Sequence, residues 1–153
     1  MVLGNITTWF WLGTAGMALG TGLLAWSYLR VSSDDDTADL LLIGIGAIAT
    51  VAYLGMALGV GRLGIDGRPV FWPRYLDWLL TTPMHVVYVG LLVDADRRRL
   101  GTLAALQAAT IVFGFAGAVT APPVKWLGFL AGSATFVGVV YLLYGPLTAA
   151  AAG

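Results

Sequence analysis

Five apolar stretches, each just over 20 residues long, make up most of this 153-residue chain. They cover residues 7–29, 40–61, 73–93, 100–120 and 124–144. About 20 helical residues, at a rise of 1.5 Å each, span the ~30 Å hydrocarbon layer of a bilayer. Backbone polar groups must be satisfied inside lipid, and the stretches lack the two-residue alternation of barrel strands. The sequence therefore predicts an all-α membrane protein with five transmembrane helices.

Short polar segments separate these stretches and are expected to be loops. They are residues 30–39, 64–69, 94–99 and 121–123, and the tail at 149–153 is expected to be a loop or a frayed helix end. No composition shift or repeat divides the chain, so residues 1–153 are predicted to form a single transmembrane domain. The expected location is the cell membrane, crossed several times, with the lipid bilayer as the first partner.

The composition excludes several classes of function. Charged residues make up 10% of the chain, against roughly 25% in soluble domains, which is too few to cover a water-exposed surface. Equal numbers of basic and acidic residues give no net charge, so nucleic-acid binding is not expected. The chain has no cysteine, no glutamate and one histidine. Neither a metal site nor a nucleophile with its base can be assembled from this set, so no enzyme is expected.

The third stretch contains the chemically informative residues. Arg74 and Asp77 place two full charges at or inside a membrane span, where such residues usually face a bundle interior. At about 100° per residue, both share one helical stripe with Thr81, His85 and Tyr88. One interpretation is a salt bridge and a hydroxyl that hold helices together. The other is a buried carboxylate that pairs with a cation and exchanges a proton.

The motif Arg74-Tyr-x-Asp77-Trp-x-x-Thr81-Thr-Pro83 resembles the third-helix signature of the haloarchaeal retinal proteins, the microbial rhodopsins. The opening TTWFW at residues 7–11 is similar to that of the sensory rhodopsin II group. The segments GFAG at 114–117 and VYLLYGP at 140–146 are also similar to that group. The resemblance covers essentially the whole chain, and it implies helices A to E of a seven-helix bundle with retinal as the cofactor.

The resemblance also implies a role for individual residues. Asp77 matches the counterion of the protonated retinal Schiff base, which accepts its proton after light absorption. Arg74, Thr81 and Tyr53 match residues that support this carboxylate with charge and hydrogen bonds. The implied retinal pocket comprises Trp78, Thr82, His85, Thr110, Gly114, Phe129, Gly132 and Phe136.

Two positions depart from the family pattern. Tyr88 stands where the proton pumps keep a carboxylate that returns the proton, and a phenol is a far weaker acid. This replacement favours a light sensor over a light-driven proton or ion transporter, which is the alternative function. His85 stands where an aliphatic residue usually contacts the chromophore. It is either a hydrogen-bonded structural residue or a group that tunes colour or passes a proton.

The family's retinal-linking lysine lies in the seventh helix, for which this chain has no counterpart. Lys125 is the only lysine, and its place at a helix entrance beside two prolines is typical of an interfacial residue. The chain is therefore expected to be the A–E part of a rhodopsin, with a helix F–G remainder as partner. A membrane transducer and a second copy of the chain are further candidate partners. A non-photoactive membrane fragment is the remaining interpretation.

Overall fold

The computed structural model describes residues 5–30 and 36–144. Five helices are present in these ranges, and the predicted number is confirmed. They are α1 (Ile6–Arg30), α2 (Asp36–Ala57), α3 (Trp72–Leu91), α4 (Arg97–Val119) and α5 (Val124–Leu142). The loop residues 31–35, the GP of the closing motif at 145–146 and the tail at 149–153 lie outside the described residues.

The segment between α2 and α3 is a β-hairpin and not the plain loop expected from the sequence. Strands β1 (Arg62–Ile65) and β2 (Arg68–Phe71) pair antiparallel through a two-residue turn. Asp66 and Gly67 in that turn have φ values of 49° and 72°, and a type I′ turn requires positive φ at both central positions. The second helix was expected four residues too late in the chain: α2 spans Asp36–Ala57 and not residues 40–61.

Helix α4 begins earlier than predicted, because Asp96 caps it. The Asp96 carboxylate accepts a hydrogen bond from the backbone N–H of Arg99 at 3.0 Å. Its other oxygen lies 3.0 Å from Nε of Arg99, on an exposed surface. Residues 97–99, expected in a loop, are therefore the first turn of the helix.

Three of the five helices are long and apolar enough to cross a membrane: α2, α4 and α5. Helix α3 has Arg74 and Asp77 in its first turns, and these charges lower its mean hydropathy. Helix α1 contains glycine, threonine and tryptophan residues, which lower its mean hydropathy. With three such helices, the chain is a multi-pass membrane protein.

The chain divides into two compact units, Met1–Asp77 and Trp78–Gly153, and the boundary falls inside α3. In the first unit α1 packs on α2, and a buried cluster joins Phe10 of α1 to Met56 of α2 and Phe71 of β2. The expectation of a single domain over residues 1–153 stays a prediction.

In the second unit α4 packs on α5 through glycines. A Cβ atom on Gly128 would lie 2.8 Å from the backbone nitrogen of Gly117 and 2.9 Å from the carbonyl oxygen of Phe113. Only a residue without a side chain fits between these backbones, as is common where membrane helices approach closely. In the same unit, Leu103 and Val139 form a buried cluster with Val86.

Candidate functional site

Arg74 lies against a group of aromatic side chains in the first unit. Its guanidinium carbon is 5.7 Å from the ring centroid of Phe10, the geometry of a cation–π interaction. Phe10 is only 2% exposed and makes edge-on contacts with Phe71 at 4.9 Å and Tyr53 at 6.2 Å. Helix α1, helix α2 and strand β2 thus each contribute one ring to the group that holds this cation.

Tyr53 belongs to this group because α1 leaves room for its ring. A Cβ atom on Gly13 would overlap the aromatic carbons of Tyr53, so the glycine allows the ring to pack directly on the α1 backbone. Tyr53 and Arg74, two residues named from the sequence, therefore both contact Phe10. Phe10 and Phe71 could not be assigned to the site from the sequence, because apolar residues in apolar segments carry no chemical signal.

Asp77 and Thr81 are the two polar residues classed as buried in the described part of the chain, each with 4% of its surface exposed. Asp77 follows Arg74 by three residues on α3, so it lies on the same side of the helix. The Oδ1 atom of Asp77 and the Nε atom of Arg74 are both fully buried. A buried carboxylate beside a cation is the arrangement expected of a charge-bearing site inside a membrane.

Several residues on the second part of α3 bond to their own helix. His85 donates from Nδ1 to the carbonyl oxygen of Thr81 at 2.8 Å, because a carbonyl can only accept. The Thr82 hydroxyl donates to the carbonyl oxygen of Trp78 at 2.6 Å. Trp78 itself is 40% exposed, and Tyr88 is half-buried. The bond of His85 agrees with a structural role and leaves its proposed tuning role untested.

An open cleft of about 250 Å³ lies on α4 and α5 in the second unit. All five residues that the sequence assigned to the retinal pocket on these two helices line it, together with Gly128 and Ser133. The full lining is Thr110, Gly114, Gly128, Phe129, Gly132, Ser133 and Phe136. Trp78, Thr82 and His85, assigned to the same pocket, are not among these lining residues.

Glycines open the cleft and aromatic rings flank it. A Cβ atom at Gly114 would meet no atom within 4 Å, so the missing side chain leaves free space. At Gly132 a Cβ atom would lie 3.4 Å from the carbonyl oxygen of Thr110, so there the two backbones lie close. Phe129 and Phe136 remain 60% and 51% exposed. A cleft of glycines and phenylalanines suits a flat, apolar ligand. Gly128, which the sequence analysis missed, lies one turn before Gly132 on the same face.

Nearly the whole chain is similar in sequence to known proteins of one family. A family model described as bacteriorhodopsin-like protein matches residues 4–153. The chain is 50% identical to sensory rhodopsin-2 of Haloarcula vallismortis and 43% identical to sensory rhodopsin-2 of Natronomonas pharaonis. These alignments cover 97% and 96% of this chain but 63% and 62% of the two relatives. The chain thus spans less than two thirds of their length.

A solved structure extends the similarity to the fold. The thermophilic rhodopsin from Rubrobacter xylanophilus matches with a TM-score of 0.89 and 36% sequence identity. The match covers 95% of this chain and 66% of that one.

Proposed function

The chain belongs to the bacteriorhodopsin-like family of membrane proteins, and from this membership we propose that it forms helices A to E of a retinal-binding, light-sensing photoreceptor. The cleft on α4 and α5 is the observation that carries the proposal. Five residues that the family resemblance assigns to the retinal pocket line that one cleft. The sensory type follows from the relatives, which are sensory rhodopsins at 50% and 43% identity.

The lining of the cleft fits part of a retinal molecule. Phe129 and Phe136 offer apolar faces to a polyene, and the free space at Gly114 admits it. Trp78, Thr82 and His85 on α3 are proposed to contribute the rest of the pocket. When bound, retinal would supply the absorption of visible light and a proton that can leave.

Asp77 is proposed as the counterion and proton acceptor. Its buried carboxylate supplies the negative charge that a cation in an apolar cavity needs, and it takes up the proton at a carboxylate oxygen. Arg74, held over Phe10, balances that carboxylate in the resting state. Thr81 and Tyr53 are proposed to support it with their hydroxyl groups.

Tyr88 favours a sensor over a transporter. A phenol is a poor proton donor at neutral pH, so the site regains its proton slowly and the light-activated state lasts longer. A long-lived state suits signalling to a membrane transducer, which we propose as the partner in view of the sensory relatives.

The proposal assigns the covalent link to a lysine of a helix F–G remainder and not to Lys125. Lys125 lies in the first turn of α5, with its Nζ 5.9 Å from the ring centroid of Trp126. A lysine beside a tryptophan at a helix end is typical of a membrane interface.

A visible spectrum tests the proposed function. The purified chain is mixed with all-trans retinal, alone and together with helices F and G of the Haloarcula vallismortis relative. We expect a visible band only in the presence of both parts. Asp77→Asn should move that band to longer wavelength, because the ground-state cation loses its anion, whereas Asp66→Asn in the exposed hairpin turn should leave it in place.

Other outcomes would contradict the proposal. No band with either preparation would make the chain a membrane fragment without photochemistry. A band accompanied by sustained light-driven pH changes in vesicles would instead identify a transporter.

A further inference from the structure

A pair of hydroxyl groups joins α4 and α5 at the cleft. Oγ1 of Thr110 and Oγ1 of Thr135 lie 2.9 Å apart, within hydrogen-bond distance. Thr110 lines the cleft, whereas Thr135 is not among its lining residues. The side-chain contact through which the Thr135 hydroxyl can act on a molecule in the cleft is therefore its hydrogen bond with Thr110.

The two hydroxyls are held at this distance by the close approach of the helices. A Cβ atom on Gly132 would lie 3.4 Å from the carbonyl oxygen of Thr110 and 3.5 Å from Cβ of Phe113. Each threonine also contacts carbonyl oxygens of its own helix. Thr110 lies 2.9 Å from the oxygen of Leu106, whereas Thr135 lies 2.9 Å from the oxygen of Gly132 and 3.2 Å from that of Ala131.

Counting protons shows what the pair presents to the cleft. Each hydroxyl has one proton to donate. If Thr110 donates to Thr135, then Thr135 donates to the oxygen of Gly132 or Ala131. If Thr135 donates to Thr110, then Thr110 donates to the oxygen of Leu106. In both orders the proton of Thr110 is used inside the protein, so its oxygen offers only lone pairs to the cleft.

We propose that Thr135 is a positioning residue that acts through Thr110 on the chromophore. Its hydroxyl ties α5 to α4 and keeps Thr110 a hydrogen-bond acceptor toward the cleft. The lone pairs of the Thr110 oxygen stabilise positive charge spread along a conjugated cation. Because the distribution of that charge differs between the ground and excited states, this stabilisation affects the absorption maximum. The inference rests on the proposed function in naming retinal as the occupant.

Replacing Thr135 with valine leaves Thr110 with one protein acceptor, the oxygen of Leu106, where it had two. The Thr110 proton then points into the cleft for a larger fraction of the time, and the hydrogen bond between α4 and α5 is lost. The absorption maximum should therefore change in Thr135→Val. It should not change further when Thr135→Val is added to Thr110→Val, because the group that transmits the effect is already absent.

The experiment uses the chain assembled with helices F and G of the Haloarcula vallismortis relative and retinal. Thr135→Ser, which keeps the hydroxyl, should retain the wild-type absorption maximum. Thr120→Val is the matched control, since Thr120 is the residue directly after α4 and its hydroxyl bonds to the carbonyl oxygen of Ala116 at 2.7 Å, but it does not line the cleft. It should leave the spectrum unchanged.

Infrared spectra of the chain without retinal give a second readout that does not depend on pigment formation. The O–H stretching band of Thr110 is identified as the band lost in Thr110→Val. In Thr135→Val this band should move to higher frequency, because the hydroxyl is less strongly hydrogen-bonded, and in Thr120→Val it should stay in place.

The inference is overturned if Thr135→Val leaves the absorption maximum unchanged, or if it shifts the maximum equally in the presence of Thr110→Val. If the wild-type chain forms no pigment, the proposed function fails by itself. The infrared band then tests the hydrogen bond between the two hydroxyls on its own. A changed frequency of the Thr110 band in Thr135→Val supports this bond between the helices, and an unchanged frequency contradicts it.

Discussion

Phe10 is the aromatic residue whose ring contacts the guanidinium of Arg74. It is almost fully buried, and its ring contacts the guanidinium of Arg74 and the rings of Tyr53 and Phe71. Aromatic pairs and cation–π contacts each contribute about 1 kcal/mol, beyond the burial of the ring itself. A single apolar side chain on α1 thus helps to fix the charge at the start of α3.

Removal of the Phe10 ring should therefore destabilise the folded chain. We expect Phe10→Ala to lower the free energy of unfolding by about 3–5 kcal/mol, the usual cost of removing a buried phenylalanine. Leu12→Ala, on the same helix but 53% exposed, is the control and should cost much less. Denaturant unfolding in detergent, followed by circular dichroism, measures both. Equal losses in the two variants would contradict the role given to Phe10.

The sequence indicated the charged residues of this region but not their aromatic partners. Asp77 could be singled out because a carboxylate inside an apolar stretch has to be compensated, and the structure does bury it. Phe10 could not, because both lipid and the protein interior accept an apolar ring. In a helix that is apolar on all sides, hydrophobic periodicity does not distinguish residues that face lipid from residues that face the protein interior.

Helix α5 depends on the absence of side chains where it meets α4. We expect Gly128→Ala to destabilise the chain by about 1–3 kcal/mol, since the new Cβ atom would meet backbone atoms of Gly117 and Phe113 that cannot rotate away. Gly101→Ala, also on a helix, is the matched control because a Cβ atom there meets nothing within 4 Å. Removing a helical glycine at an open position should raise stability, by up to about 1 kcal/mol.

Thermal unfolding followed by circular dichroism measures the two glycine variants side by side. Opposite changes in the midpoint temperature are expected. An unchanged or higher midpoint for Gly128→Ala would show that the glycine contact does not limit the approach of the helices, and a fall of equal size in both variants would show that the loss is not specific to this contact.

The helix boundaries and the short hairpin were predicted less well than the presence of the five helices. The hairpin was missed although its turn carries an Asp66-Gly67 dipeptide, a strong signal for a type I′ turn. Its strands have only four residues each, too few for a clear alternation. The early start of α4 had a readable signal as well, because Asp96 is a favoured helix cap.

At the scale of the whole molecule, each compact unit contains its own part of the residues named from the sequence. Arg74 and Asp77 belong to the first unit, and the cleft on α4 and α5 belongs to the second. Helix α3 contributes residues to each. The number of helices followed from the lengths of the apolar stretches. The cleft could be foreseen only through the family resemblance, because glycines and phenylalanines of membrane helices carry no chemical signal of their own.

The chain's only lysine provides a test at this scale. In the assembly with helices F and G and retinal, we expect Lys125→Arg to keep the visible band, because the interfacial cation near Trp126 is retained and the link is made elsewhere. Arginine cannot form the imine, so the substitution separates the role of an interfacial cation from that of a covalent attachment point for retinal. Borohydride reduction followed by peptide mass spectrometry locates the retinyl group directly. A retinyl group on Lys125 in the wild-type assembly, or loss of the band in Lys125→Arg alone, would contradict this assignment.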